Sequence, residues 1–163
     1  MSAEKNGAGD QNQIFNKNIL IAVDESSNAR RAVLYVARLL GGLPGFRIYL
    51  LHVLSPPEED FFPSAAAKDA YVQKHRQELE RILEAYRQIL TDNGFAAEAV
   101  STHAPERYCP SIADCILAER ELLQPSTIVI GRKGVSRQEE FLFGSVSSKI
   151  VTKAKGCTVW VVE

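Results

Sequence analysis

Hydrophobic residues along this chain follow two alternating patterns. Short runs rich in β-branched residues recur five times, and the run ILIAV is apolar throughout, as expected of a parallel strand covered on both faces. Between these runs, apolar positions repeat every three or four residues, which predicts amphipathic helices. The predicted strands are residues 19–23, 47–54, 96–102, 127–130 and 157–162. The predicted helices run from a start within 24–28 to 40, and over 68–92, 111–123 and 144–154.

This regular alternation predicts an α/β fold with right-handed crossovers, a parallel sheet and helices on both faces. We expect one doubly wound, Rossmann-like domain with five parallel strands in the order 3-2-1-4-5. The third strand has the weakest pattern, which favours a position near the sheet edge. Strands one and four are then neighbours where the winding direction reverses, and ligands of such sheets bind beyond the carboxyl ends of the strands at that point.

Length and composition agree with a single globular domain. The chain has 163 residues, of which 45% are apolar and 24% charged, and its net charge is −1. No basic excess points to nucleic acid, and no apolar run approaches the roughly 20 residues of a membrane span. Residues 1–17 are polar and contain glycine, so we expect a disordered tail ahead of a domain at 18–163. Because the N-terminus also lacks the apolar core of a signal peptide, we expect a cytoplasmic protein.

The cysteines give no sign of a covalent framework. Cys109, Cys115 and Cys157 are an odd number and lack paired C-x-x-C spacing, which argues against both a disulfide scaffold and a zinc site. Free Cys commonly behaves as a small core residue. We therefore expect buried or idle thiols and no metal site.

The strongest candidate site follows the fourth predicted strand. Gly131 and Gly134 lie in the loop after this strand, and Gly144 with Ser145 opens the next helix. Glycines at these places let backbone N–H groups approach an anion, and the positive end of the helix dipole favours phosphate there. The loop is not a Walker motif, since G-x-x-x-x-G-K-[ST] is absent and Lys149 lies a turn inside the helix. No G-x-G-x-x-G follows the first strand either.

The spacing G-x2-G-x9-G-S, together with ILIAVDES in the first strand, LLHV in the second and VWVV in the last, closely resembles the ATP-binding branch of the universal stress protein family. The resemblance covers roughly residues 18–163. It implies that Ala22, Val23 and Asp24 approach adenine and ribose, and that Val53 holds adenine through its backbone. Independently of the family, a carboxylate at Asp24 can accept hydrogen bonds from sugar hydroxyls, although capping of the following helix is an alternative role.

The predicted ligand is ATP, or ADP or AMP, with or without Mg²⁺. The predicted nucleotide-binding residues are Ala22, Val23, Asp24, Val53, Ile130, Gly131, Arg132, Lys133, Gly134, Gly144, Ser145, Val146 and Ser147. Hydroxyls at Ser145 and Ser147 would add donors. Arg132 and Lys133 would either neutralise phosphate charge or remain solvated loop residues. Glu139 and Glu140 would repel a triphosphate unless they point outward or meet a divalent cation.

The sequence favours binding over catalysis. His52 falls in a strand pattern typical of a buried histidine, and His103 ends a strand near the predicted cleft, but neither is paired with a recognisable nucleophile. We expect a nucleotide-dependent regulatory module of the stress response, with no catalytic residue and at most slow ATP hydrolysis. The alternatives are a weak ATPase or nucleotidyl transferase using Asp24 or His103, and an interaction module that does not bind nucleotide.

The last predicted strand suggests a homodimer. Val159, Trp160, Val161 and Val162 would leave an apolar sheet edge open to pairing, which oligomerisation covers. The resemblance implies the same, since the family dimerises through its final strand. We also expect a further protein partner, whose identity the sequence does not indicate, and no nucleic-acid or membrane partner.

Overall fold

The computed structural model of the protein describes residues 16–54, 62–105, 109–133 and 145–163. Strands and helices alternate through these residues as the hydrophobic pattern predicts. The elements are β1 Asn18–Ala22, α1 Ser27–Leu40, β2 Arg47–Leu51, α2 Ala65–Asp92, β3 Val100–His103, α3 Ile112–Leu123, β4 Thr127–Gly131, α4 Ser145–Lys153 and β5 Thr158–Val162. No helix in the described ranges is long and apolar enough to cross a membrane.

The strands form a parallel sheet in the order β3-β2-β1-β4-β5, which confirms the predicted fold class and strand order. β1 lies at the centre, where Ile21 pairs with Leu50 of β2 on one side and with Val129 of β4 on the other. The chain leaves β1 toward β2 and later enters β4 on the opposite side. The loops after β1 and β4 therefore diverge and leave a crevice at the carboxyl edge of the sheet.

Two hydrophobic cores cover the two faces of the sheet. Ile19 and Ile21 of β1 pack with α1 and α2, whereas Leu20 between them packs with α3 and α4. This alternation follows from the two-residue period of a strand, because successive side chains point to opposite faces. All three residues are at most 2% exposed, which explains why the first strand is apolar without interruption.

Serines begin three of the described helices. Ser26, Ser64 and Ser111 are the N-caps of α1, α2 and α3, and each side-chain oxygen accepts a backbone N–H from three residues further on. Ser26 is thus the cap of α1, and the alternative role of Asp24 as the helix cap is wrong.

Element ends and some helix faces differ from the predictions. β2 ends at Leu51 rather than at residue 54, and its register with β1 ends there, at the pair of Ala22 and Leu51. Residues 97–99 form a 3₁₀ turn ahead of β3 instead of strand. On α3, Ile116 is buried but Leu122 is 64% exposed, because six residues at 100° each place the two on different sides of the helix. Ile112 of α3 and Val151 of α4 are likewise exposed, although both are apolar residues of the predicted helices.

The prediction of free thiols is wrong for two of the cysteines. Cys109 and Cys115 form a disulfide, with their Cα atoms 5.5 Å apart, while Cys157 is free. The odd cysteine count excludes pairing of all three but says nothing against pairing of two. The two cysteines are close together because α3 begins between them, and its first turn brings Cys115 back toward Cys109.

The described residues begin slightly before the predicted domain boundary at residue 18. Asn16 and Lys17, which the sequence assigned to the tail, are part of the described structure. The Asn16 side chain accepts the N–H of Ser126 at 3.0 Å and donates to the Gln124 carbonyl at 2.8 Å. These bonds attach residue 16 to the segment that enters β4. The rest of the predicted tail lies outside the described residues.

Candidate functional site

A cavity of about 510 Å³ lies at the carboxyl edge of the sheet, where the crevice between the β1 and β4 loops opens. Its volume falls within the roughly 300–1,000 Å³ typical of small-molecule sites. The lining residues are Ala22, Val23, Asp24, Ser26, Ala29, Leu51, His52, Val53, Ile112, Ile116, Ile130, Gly131, Arg132, Lys133, Ser145, Val146 and Ser147.

The structure brings the predicted site residues together. Every one that lies within the described ranges lines this cavity, although the residues come from β1, the end of β2, β4 and the start of α4. Gly134 and Gly144 lie outside the described residues, as do Glu139 and Glu140. Sequence reasoning missed six lining positions. These are Ser26, Ala29, Leu51, His52, Ile112 and Ile116.

The missed positions carry only weak signals. Ile112 and Ile116 are four residues apart, so they lie on the same face of α3. This spacing does not indicate which part of the protein that face contacts. Ser26 and Ala29 belong to the start of α1, which follows Asp24 directly. They line the cavity because the chain enters α1 directly after the end of β1.

Side chains from distant elements hold the backbone at the end of β1. The Tyr86 hydroxyl of α2 donates to the Asp24 carbonyl at 2.7 Å, and Nδ1 of His52 lies 2.9 Å from the Val23 carbonyl. Because a carbonyl only accepts, Nδ1 carries the proton in this contact. The Asp24 carboxylate itself accepts the N–H of Ser26 at 2.9 Å. The β1 end therefore has a defined backbone course and a carboxylate fixed at the cavity wall.

Burial affects the ionisation of both supporting side chains. It lowers the pKa of His52 below the ordinary 6.5, against the opposing effects of the Val23 carbonyl, Asp24 and Glu25. Burial also raises the pKa of Tyr86 above 10.0, with the nearby Asp24 charge acting in the same direction. At neutral pH His52 is therefore uncharged and Tyr86 retains the proton that it donates.

The opposite end of the cavity is built from β4 and α4. Ser147 is 2% exposed and donates its hydroxyl to the Arg132 carbonyl at 2.7 Å, which ties α4 to the loop after β4. The Asn28 side-chain amide donates to the Lys133 carbonyl at 3.2 Å and ties the same loop to α1. Two consecutive peptides of this loop are thus fixed from different helices.

Gly131 is required by close packing at this end. A Cβ added to it would lie 2.8 Å from the carbonyl carbon of Asn28 and 3.0 Å from the nitrogen of Ala29. These are backbone atoms in the first turn of α1, and they cannot move aside as a side chain can. The sequence analysis predicts that this glycine lets the backbone approach a phosphate. The structure shows in addition that any side chain at this position would push β4 away from α1.

The two predicted cations have different surroundings. The Arg132 guanidinium pairs with the Glu163 carboxylate beyond β5. Lys133 has no ion pair with any of the residues that the structure describes, and it lines the cavity. Lys149 of α4 forms an ion pair with Asp114 at 2.6 Å and donates a hydrogen bond to the Ser111 hydroxyl at 3.0 Å. Both contacts link α4 to the start of α3. Lys133 is accordingly the better placed cation for an anion in the cavity.

The remaining candidates for chemistry lie elsewhere. The His103 ring packs edge-on against Tyr49, with 5.4 Å between ring centroids, and it is absent from the cavity lining. Within the described ranges, no group of three His, Cys, Asp or Glu side chains could hold a metal ion. Among the described residues, the cavity thus combines apolar walls with the Asp24 carboxylate, the Lys133 ammonium and the amino end of α4.

A doubly wound parallel sheet with a cavity at its switch point places the chain among the doubly wound α/β domains. The chain belongs to the universal stress protein family, because the family model described as "Universal stress protein family" matches residues 16–163. A search of curated protein sequences finds no significant match.

Solved structures have the same fold. A hypothetical protein designated MJ0577 is 25% identical, with a TM-score of 0.72 over 90% of this chain and 94% of that one. A universal stress protein from Archaeoglobus fulgidus, described as a complex with dAMP, is 22% identical, with a TM-score of 0.61 over 92% and 99% of the two chains. A universal stress protein in complex with cAMP is 16% identical, with a TM-score of 0.64 over 91% and 97%.

Proposed function

We propose that this protein binds an adenine nucleotide, ATP in particular, and acts as a nucleotide-dependent regulatory module of the stress response. The observation that carries the proposal is that two groups of residues, far apart in sequence, line one cavity. One group is the nucleoside end at β1 and Val53. The other is the phosphate end at β4 and α4.

The chemistry of each end suits its half of the ligand. Val53, Ile112 and Ile116 offer an apolar surface for a purine ring, and the Asp24 carboxylate accepts hydrogen bonds from ribose hydroxyls. At the other end Lys133 supplies charge, and Ser145 begins α4 with a hydroxyl and with first-turn N–H groups that have no acceptor within the helix itself. The dAMP and cAMP complexes of related proteins support an adenine nucleotide as the ligand.

Isothermal titration with ATP tests the proposal. We expect binding at or below millimolar concentration, and the absence of heat at millimolar ATP in both the presence and the absence of Mg²⁺ would refute it. Lys133→Ala should weaken ATP binding about tenfold, as for a desolvated charge-assisted contact, while adenosine binding stays unchanged. Lys155→Ala, at an exposed lysine outside the cavity lining, is the matched control.

The enzymatic alternative has little support. His103 packs against Tyr49 instead of lining the cavity, which leaves Asp24 as the remaining candidate base from the sequence. In the described site, His52 contacts the Val23 carbonyl through Nδ1, and the Asp24 carboxylate accepts the backbone N–H of Ser26. We therefore propose occupancy by nucleotide, with any hydrolysis slow, as the property that a partner protein would sense.

We further propose a homodimer formed through β5. This strand is an edge of the sheet, and its residues Val159 to Val162 are only half-buried in the single chain. Light scattering after size exclusion should return twice the 18.0 kDa of one chain, and a particle of 18.0 kDa would refute the dimer. The cytoplasmic location expected from the sequence stays a prediction.

A further inference from the structure

The Cys109–Cys115 disulfide lies directly beside the wall of the cavity. It closes a loop of six-residue separation, C-P-S-I-A-D-C, which contains the start of α3. Ile112 lies inside this loop and Ile116 follows it immediately, and both side chains line the cavity. The covalent bond therefore limits the movement of one wall of the proposed nucleotide site.

Contacts other than the disulfide also stabilise the start of α3. The helix is capped by Ser111, whose oxygen accepts the N–H of Asp114 at 3.2 Å, and Lys149 of α4 anchors Asp114 at 2.6 Å. Cys115 is 2% exposed, and its thiol would remain as a small apolar side chain in the core. These contacts do not involve the disulfide, so we expect the domain to fold in both redox states, with the segment at Ile112 less restricted in the reduced one.

The two sulfurs differ in accessibility. Cys109 is half-buried, whereas Cys115 is almost completely covered. A thiolate arriving from solvent therefore reaches the Cys109 sulfur, and Cys115 is the leaving group. This asymmetry directs the attack to one sulfur, since the rate of exchange depends on which sulfur is accessible.

We propose that Cys109 and Cys115 form a reversible thiol–disulfide modification site that exchanges with low-molecular-weight thiols of the glutathione class and adjusts the nucleotide affinity of the adjoining cavity. In the reductive direction a thiolate attacks the Cys109 sulfur, the S–S bond breaks, and the Cys115 thiolate takes up a proton. A second thiolate then attacks the mixed disulfide, releases the oxidised small molecule and leaves Cys109 as a thiol. Two thiols are oxidised and one protein disulfide is reduced.

The exchange itself is tested independently of any nucleotide. The native full-length protein is equilibrated in glutathione buffers, acid-quenched, alkylated and weighed intact. We expect one alkylated cysteine in oxidised buffers and three in reduced ones, with full return on reoxidation. A disulfide that survives about 10 mM reduced glutathione in the native protein, but not in urea, would overturn the proposal, and so would a bond that never forms.

The effect on the cavity rests on the proposed nucleotide site. We expect ATP to bind about fivefold more weakly to the reduced protein, because the Ile112 segment then has more freedom of movement, which it loses when the cavity is filled. Cys109→Ser should bind ATP like the reduced protein and ignore added thiol, whereas Cys157→Ser, at the free cysteine, should behave like the wild type. Equal affinities in the two redox states would overturn the coupling.

A second readout separates this inference from the proposed function. If neither redox state binds ATP, the nucleotide assignment fails, while amide hydrogen exchange over residues 112–116 still reports on the wall. Exchange there should be faster in the reduced protein than in the oxidised one. Equal exchange rates would overturn the proposal, and reduced wild-type protein serves in place of Cys109→Ser if that variant does not fold.

Discussion

Removing the Tyr86 hydroxyl should loosen the β1 end of the site without disturbing the core. In Tyr86→Phe the ring remains, so its packing in the core formed with α1 and α2 is retained. What is lost is the bond of 2.7 Å to the Asp24 carbonyl. The substitution therefore separates support of the Asp24 peptide from hydrophobic packing.

The expected magnitude follows from the burial of both groups. Tyr86 is 7% exposed, so its hydroxyl bond is largely shielded, but Asp24 is half-buried and water can reach its carbonyl. The net loss should be about 1 kcal/mol in the free energy of unfolding, which corresponds to a decrease of about 3 °C in Tm for a domain of this size. A loss of equal size in ATP binding, through a misplaced Asp24, would weaken affinity about fivefold.

The pH dependence of this loss has a definite sign. The folded pKa of Tyr86 is raised above 10.0, so the stability that its hydroxyl contributes is fully present below the unfolded pKa and is lost as pH rises through the folded value. The difference between Tyr86→Phe and wild type should consequently be constant between about pH 6 and pH 9.

Urea unfolding and thermal melts measure the effect, with Tyr35→Phe as the matched control. Tyr35 is 48% exposed, and its hydroxyl has no hydrogen-bond partner among the described residues. The same chemical change at this position should leave the free energy of unfolding almost unchanged. If Tyr86→Phe loses no more stability than Tyr35→Phe, the support of the β1 end by Tyr86 is refuted.

Three further outcomes follow from the described contacts. Gly131→Ala should lower the free energy of unfolding by about 1–3 kcal/mol, since its Cβ would lie 2.8 Å from the Asn28 carbonyl carbon, and a wild-type urea midpoint would contradict this. The folded pKa of His52 is lowered, so stability should decrease as pH falls from about 7.5 toward the folded value; an unchanged slope in His52→Asn would show that another group is responsible. The Lys149 ammonium and the Ser111 hydroxyl hold the pKa of Asp114 below 3.8, so Asp114→Asn should lessen the loss of stability in acid as pH falls through that lowered value. Urea midpoints at low pH that decline equally in both proteins would contradict this.

The sequence could predict much of the fold because its information is local. Each strand and helix was indicated by the period of its own residues, and parallel alternation then restricts the connections. Gly131, Ser145 and Asp24 could be predicted as site residues for the same reason, since each stands at the end or start of a recognisable element. The cavity contains these residues because parallel strands present all their carboxyl ends at one edge of the sheet.

The supporting contacts could not be predicted in the same way. Tyr86 lies 62 residues from Asp24, and His52 lies 29 residues from Val23, so nothing local to either residue indicates its partner. The helical period predicts the helix that contains Tyr86 but does not indicate where its hydroxyl points. The number and spacing of the cysteines likewise did not predict the disulfide. The bond between Cys109 and Cys115 depends on the path of the few residues at the start of α3.

The attachment of Asn16 has a practical consequence for handling the protein. Asn16 is bonded next to Ser126, at the edge of the sheet where β1 and β4 begin, whereas the cavity opens where these strands end. A five-residue strand separates the two edges by about 16 Å. An affinity tag or biosensor linker fused upstream of residue 16 therefore departs from the side opposite the cavity, and immobilisation through it should leave the cavity facing the solution.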